Sequence, residues 1–157
     1  MIITVDGPAA AGKGTLSQKL AEKYCLAYFD TGMVYRAVGL LMLQNGNDLA
    51  DATAAELSVK RGAAHFFAVF ANCNPGSYMI LYRSAKGGQA ASVVSSYPGV
   101  RRRLLDMQRN FAANPVFADG SAAKGVIYDG RDTGTVICPQ AEVKFFITAA
   151  AEVRAKR

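Results

Sequence analysis

The run Gly7-Pro8-Ala9-Ala10-Ala11-Gly12-Lys13-Gly14-Thr15 carries the spacing Gly-x-x-x-x-Gly-Lys. That spacing wraps backbone N–H groups around phosphate oxygens, and the glycines let the backbone curl tightly enough to do so. Lys13 supplies a mobile positive charge for oxygens that gain negative charge during transfer, and the N-terminus of a following helix adds to the field. The hydroxyl usually found directly after the lysine arrives one place later, at Thr15, with Gly14 between them. The chemistry expected here is binding of a nucleoside triphosphate. A second constellation, Tyr128-Asp129-Gly130-Arg131-Asp132, packs two carboxylates and an arginine behind an apolar run. As a surface turn it contributes a weak ion pair of at most about 1 kcal/mol. At the carboxyl end of a parallel strand, beside a phosphate loop, Asp129 is placed to hold magnesium.

These groups need elements to position them. Ile2 to Val5 is rich in β-branched residues and reads as a buried strand, and Leu16, Leu20 and Tyr24 recur at helical spacing from Gly14 to Tyr24. Ala27 to Asp30 is a short second strand, followed by a helix opened by Asp30 or Thr31 and closed by Asn45-Gly46-Asn47. Tyr35 and Arg36 lie off that helix's apolar stripe and so are candidates to face a ligand. Asp51 to Gly62 is expected to be helical. His65–Ala71 and Tyr78–Tyr82 are expected as strands, joined in a hairpin through Asn74-Pro75-Gly76. Gly87-Gly88 argues against a rigid helix over 83–88. A short helix follows over Gln89–Ser96, and a longer one over Pro98–Ala113, with Val100, Leu104, Met107 and Phe111 as its stripe. Arg102 and Arg103 read as a solvated face. Residues 114–124 form a polar loop, 125–129 a strand, Val143–Ile147 another buried strand, and Glu152–Arg157 a basic helix. Strands alternating with helices imply an α/β fold: a parallel sheet flanked by helices in three layers, of the phosphate-loop NTPase type. The core is expected over 1–30 and 125–157 of a single domain. The region of roughly 31–124 reads as an insertion that clamps a second substrate.

A chain of 157 residues, 51% of them hydrophobic, suits one domain. No apolar run approaches a membrane span, no leader pattern opens the chain, and Cys25, Cys73 and Cys138 are unpaired in spacing. They read as reduced thiols, which implies a cytoplasmic protein. His65 is the single histidine, so a metal cluster is not expected around it. The net charge of +6 calls for an anionic partner. Without aromatics interleaved along a basic stripe, that partner is a nucleotide rather than a nucleic acid.

Taken together, GPAAAGKGT, DTGMVYR, QAASVVSSYPGVR and YDGRDTGTVICP resemble the bacterial cytidylate kinase family, in order and across nearly the whole chain. The resemblance implies transfer of the γ-phosphate of ATP, with Mg2+, onto CMP or dCMP by a monomer. It assigns Gly7, Pro8, Ala9, Ala10, Ala11, Gly12, Lys13, Gly14 and Thr15 to ATP. Thr15 and Asp129 go to magnesium, partly through water. Arg36 and Arg131 grip the acceptor phosphate, with Asp30 and Tyr35 beside them. Ser92, Arg101 and Asp132 read the cytosine ring, and Arg154 and Arg157 open the arginine-rich lid. Lys13, Arg36, Asp129 and Arg131 are the catalytic set. The acceptor phosphate is largely dianionic at neutral pH, its second pKa being about 6, so no general base is needed. What the reaction needs is cations that hold two anions in line.

The chain departs from the family pattern at Thr133, where an apolar residue is customary, and around 82–88, which looks shortened. Family members continue beyond the position of Arg157 with the rest of the lid. Two other readings stay open. Another small kinase, for adenylate or shikimate, leaves the Ser92–Arg101–Asp132 set without a purpose. A nucleotide-binding domain with weak or no turnover acts by association alone.

Overall fold

The computed structural model describes residues 1–71 and 82–156, with 63–71 described as helical backbone only. The β-branched run at the amino end forms β1, Ile2–Asp6, and the glycine-rich turn delivers the chain into α1, Lys13–Tyr24. Cys25 ends that helix in the left-handed conformation (φ 52°, ψ 49°), its N–H returning to the carbonyls of Ala21 and Glu22. Next come β2, Ala27–Asp30, and α2, Thr31–Gln44. Three further helices follow: α3, Ala52–Ala71; α4, Ala85–Val94; and α5, Pro98–Ala113. The chain then returns to the sheet in β3, Val126–Gly130. A five-residue π-helix, Thr133–Ile137, leads to β4, Val143–Phe146, and α6, Ala151–Ala155.

The four strands form one parallel sheet in the order β2-β3-β1-β4. Register puts Ile3 against Ile127 and Val143, and Thr4 against Tyr128, so the two faces separate by alternation. One face packs Ile3, Val5 and Ile127 on Ala21 and Leu20 of α1. On the other, Phe29 lies 5.1 Å from Tyr128 and 4.9 Å from Phe111 in the last turn of α5. Both are tilted ring pairs of the favourable kind. The fold is therefore a three-layer α/β sheet flanked by helices, as the sequence pattern implies. Burial of Tyr128 pushes its hydroxyl well above the ordinary tyrosine range.

Internal contacts divide the chain into two compact units. The first comprises Met1–Thr31, Arg109–Phe117 and Ser121–Arg157, and holds the whole sheet. The second comprises Gly32–Gln108 and Ala118–Gly120 and is helical, with Val34, Ala37, Val38, Met42, Ala55, Val59, Ala90, Val94, Val100 and Leu104 buried.

Four expectations need correction. Residues 65–71 are helical: α3 continues to Ala71 because no glycine or proline interrupts the alanine-rich run after Gly62. The expected second strand and hairpin lie outside the described residues, except for Tyr82. The helix expected from Gln89 begins at Ala85, because Ser84 caps it by accepting from Gly87 N at 3.1 Å and so offsets the cost of two glycines. β4 is an edge strand, and Phe145 and Phe146 are exposed rather than buried. The basic helix expected over Glu152–Arg157 is instead α6, Ala151–Ala155, and Arg157 lies outside the described residues.

Cys25 is exposed, whereas Cys138 is buried and its thiol is pushed up by that burial. Iodoacetamide applied to the native chain should therefore modify Cys25 and leave Cys138 intact until denaturant is added, read by peptide mass spectrometry. Equal modification of both would contradict the burial of Cys138.

Candidate active site

The phosphate-type loop lies between the central strand β1 and α1. Gly7 (φ 145°) and Gly12 (φ 96°) supply its unusual backbone angles, and Ala10 joins them at φ 60°. A Cβ at residue 7 would run into the carbonyl oxygen of Ile147, so the loop starts pressed against backbone from beyond β4. Lys13 sits in the first turn of α1 and its Nζ donates to the carbonyl of Pro8 at 2.9 Å, which folds the side chain back across the loop. Thr15 is exposed one residue past Gly14.

Parallel register brings Asp30 of β2 directly opposite Asp129 of β3. Like charges facing across strands repel. Burial, with the Asp30 charge second, pushes the Asp129 carboxyl up to about 6, and Asp6 adds to the rise. Lys13 and a hydrogen bond from the Tyr28 hydroxyl, 3.2 Å from Asp129 Oδ2, act in the opposite direction. Thr31 Oγ1 donates to the Asp129 carbonyl at 3.0 Å, tying the start of α2 to the end of β3. Hard carboxylate oxygens crowded beside one another suit a divalent cation such as Mg2+, which relieves their repulsion. Among the described residues, no group of three or more His, Cys, Asp or Glu is arranged to hold a metal.

Asp6 ends β1 on the opposite face of the sheet from Asp129. Its Oδ1 accepts from Thr133 N at 2.9 Å and Thr133 Oγ1 at 2.7 Å, and its Oδ2 accepts from Gly134 N at 2.8 Å. At the far end of the same π-helix, Arg109 donates to the carbonyls of Ile137 (3.1 Å) and Val136 (2.8 Å). A carboxylate thus takes the orphan N–H groups and a guanidinium the orphan carbonyls, each matched to the sign of the helix end it meets. Arg131 and Asp132 lie between β3 and this clamped turn.

Lys13, Thr15, Asp30, Asp129, Arg131, Asp132 and Arg154 all belong to the first unit. Arg154 Nε bonds the Ala149 carbonyl at 3.1 Å. The second unit holds Tyr35, Arg36, Ser92 and Arg101. Arg36 Nη1 donates to the carbonyl of Tyr82 at 2.6 Å, with that of Ser84 at 3.5 Å, and its guanidinium lies over Gly88. Ser92 and Arg101 are exposed on α4 and α5. Sequence reasoning passed over Asp6, Tyr28 and Arg109. A signal for Asp6 was present: Val5-Asp6-Gly7 repeats the apolar-Asp-Gly ending of Tyr128-Asp129-Gly130.

A family model described as "Cytidylate kinase" matches residues 3–157. The chain is 46% identical to a cytidylate kinase of Rhodospirillum rubrum over 157 residues, all of this chain and 67% of that protein. A cytidylate kinase of Rhodopseudomonas palustris is 48% identical over 158 residues, and one of Methylobacterium is 46% identical over 157. Each of those alignments covers all of this chain and 66% of the relative. The chain thus spans about two-thirds of the length of the curated relatives it matches. No helix among the described residues is long and apolar enough to cross a membrane.

The folded chain holds a proton on Asp129 up to about pH 6, against 3.8 for an unperturbed aspartate. Between those values the folded state binds more protons than the unfolded one, so this group's contribution to stability falls as pH rises through the window. In metal-free buffer, Asp129→Asn should melt several degrees above the parent at pH 7.5 and level with it near pH 4. A variant that melts lower at pH 7.5 would reject the crowding.

Proposed function

The chain belongs to the cytidylate kinase family, and from that premise we propose that it transfers the γ-phosphoryl group of ATP to CMP or dCMP, giving CDP or dCDP. The observation that carries this reading is the loop. Lys13 lies across it from Pro8, and it opens from β1, whose neighbour β3 carries Asp129 opposite Asp30 of β2. Residues 7–15 hold the triphosphate through backbone N–H groups and the first turn of α1, and Lys13 moves with the γ-oxygens as their charge grows. Thr15 and Asp129 hold Mg2+, partly through water. The ion would supply positive charge that offsets the charge of the phosphate groups.

Arg36 and Arg131 grip the acceptor phosphate, with Asp30 and Tyr35 beside them, because a planar guanidinium makes paired bonds to phosphate oxygens. An acceptor phosphate oxygen forms the new bond to the γ-phosphorus as the bond to the β,γ-bridging oxygen breaks, and ADP leaves. The attacking oxygen is already ionised, so no residue has to remove a proton. Ser92, Arg101 and Asp132 read the base. Cytosine presents an amino donor with N3 and O2 acceptors, which a carboxylate and two donors complement; uracil reverses part of that pattern. Arg154 and Arg157 belong to the lid over the triphosphate. We place the activity in the cytoplasm and in a monomer, with ATP and CMP or dCMP as its only partners and neither nucleic acid nor membrane among them. We assign a single kinase domain with a core of 1–30 and 125–157 and an acceptor-binding region of roughly 31–124.

ATP-dependent CDP formation by this chain tests the reading, and ATP binding without product at any magnesium concentration would favour an association domain. Lys13→Ala should lower turnover by about 10²-fold or more, and unchanged turnover would remove the loop from the chemistry. Asp132→Ala should raise the CMP requirement more than the ATP requirement, and an equal rise in both would remove it from base reading.

A further inference from the structure

We propose that Asp6 is a positioning residue for the acceptor: it caps the π-helix in place of Asp132 and thereby sets the aim of the Arg131–Asp132 pair. The inference rests on the roles given to Arg131 and Asp132 above.

Arg131 and Asp132 are the two residues between Gly130 and Thr133. Gly130 is the register partner of Asp6 across β1 and β3, and Thr133 is bonded by the Asp6 carboxylate. Both ends of the dipeptide are therefore fastened to one residue, which is itself the last before the phosphate loop. The closure is tight: a Cβ on Gly130 would fall 2.5 Å from Thr133 Cγ2 and 2.6 Å from Thr31 Oγ1.

Asp132 occupies the N-cap position of the π-helix, and its side chain makes no cap hydrogen bond. An aspartate there ordinarily turns its carboxylate onto the first free N–H groups of its own helix. Here the N–H groups of Thr133 and Gly134 are taken by a carboxylate arriving from β1. Asp6 is only 7% exposed, so these charge-assisted bonds form in a low-dielectric setting where they hold strongly. Removing the Asp6 charge hands two unmet N–H groups to the nearest acceptor along the chain, the Asp132 carboxylate. That would turn Asp132 back onto its own helix. Through the same residue, strand β1 passes the position of the phosphate loop to the dipeptide that meets the acceptor.

Asp6→Asn keeps the side-chain volume and puts an NH2 group where Thr133 or Gly134 needs an acceptor. Amide hydrogen exchange by NMR, with calorimetric titration of CMP, UMP and ATP, should be run on the parent, Asp6→Asn, Asp132→Asn and the double variant. Exchange at Thr133 and Gly134 should quicken about tenfold or more in Asp6→Asn. Preference for CMP over UMP should fall about tenfold, with ATP affinity within about threefold of the parent. The double variant should show no less preference than Asp132→Asn alone, because the two act through one group. Unchanged exchange in Asp6→Asn, equal losses for CMP and ATP, or losses that add in the double variant would each overturn the inference. If Asp132→Asn leaves base preference intact while exchange still quickens in Asp6→Asn, the role of Asp132 in base reading fails and the cap stands. If no nucleotide binds, the exchange result alone decides the cap.

Discussion

Three of the four parallel strands deliver an aspartate to the same end of the sheet: Asp6 from β1, Asp30 from β2 and Asp129 from β3. Carboxylates cannot be gathered in a half-buried place without something to answer their charge. The surrounding structure is arranged as that answer. On the α1 face, Lys13 and the Tyr28 hydroxyl temper Asp129, but not enough to undo burial and the Asp30 charge beside it. On the other face, Asp6 is met by two backbone N–H groups and a hydroxyl from a turn that begins with Thr133.

The two faces consequently carry different work. The side under α1 holds surplus negative charge next to a mobile ammonium, the setting in which a divalent cation and a polyphosphate are both welcome. The side toward the end of α5 holds a carboxylate whose oxygens are hydrogen-bonded by the turn, which is finished by Arg109 on the carbonyls of Val136 and Ile137. Alternation along β1 and β3 is what keeps these environments apart while leaving them one residue from each other. A single-residue slip of register would exchange them.

Much of this was readable from the chain alone. The β-branched start, the glycine-rich turn and the strand before Gly130 announced the sheet and the loop, because those local signals agree with the packing they enter. The stretch from His65 to Ala71 was misread because a short apolar run looks alike in a strand and in a buried helix, and here the helix before it carries on. β4 has a strand's composition but lies at the sheet's edge, which no local pattern reports. Within the site, Lys13 and Asp129 stand out by spacing from a glycine. Asp6 also stands beside a glycine, but its role is hidden because its partners lie at 133 and 134, far along the sequence. The π-helix was equally hidden, because it is held by Asp6 and Arg109 from outside rather than by its own composition.

Gly7 also belongs to two places at once. Its missing side chain leaves the space into which the carbonyl of Ile147 fits, so a larger residue there would both strain the loop and push the backbone beyond β4 outward. A change in the backbone path near Ile147 would therefore be felt at Gly7, far earlier in the sequence, before the loop could close.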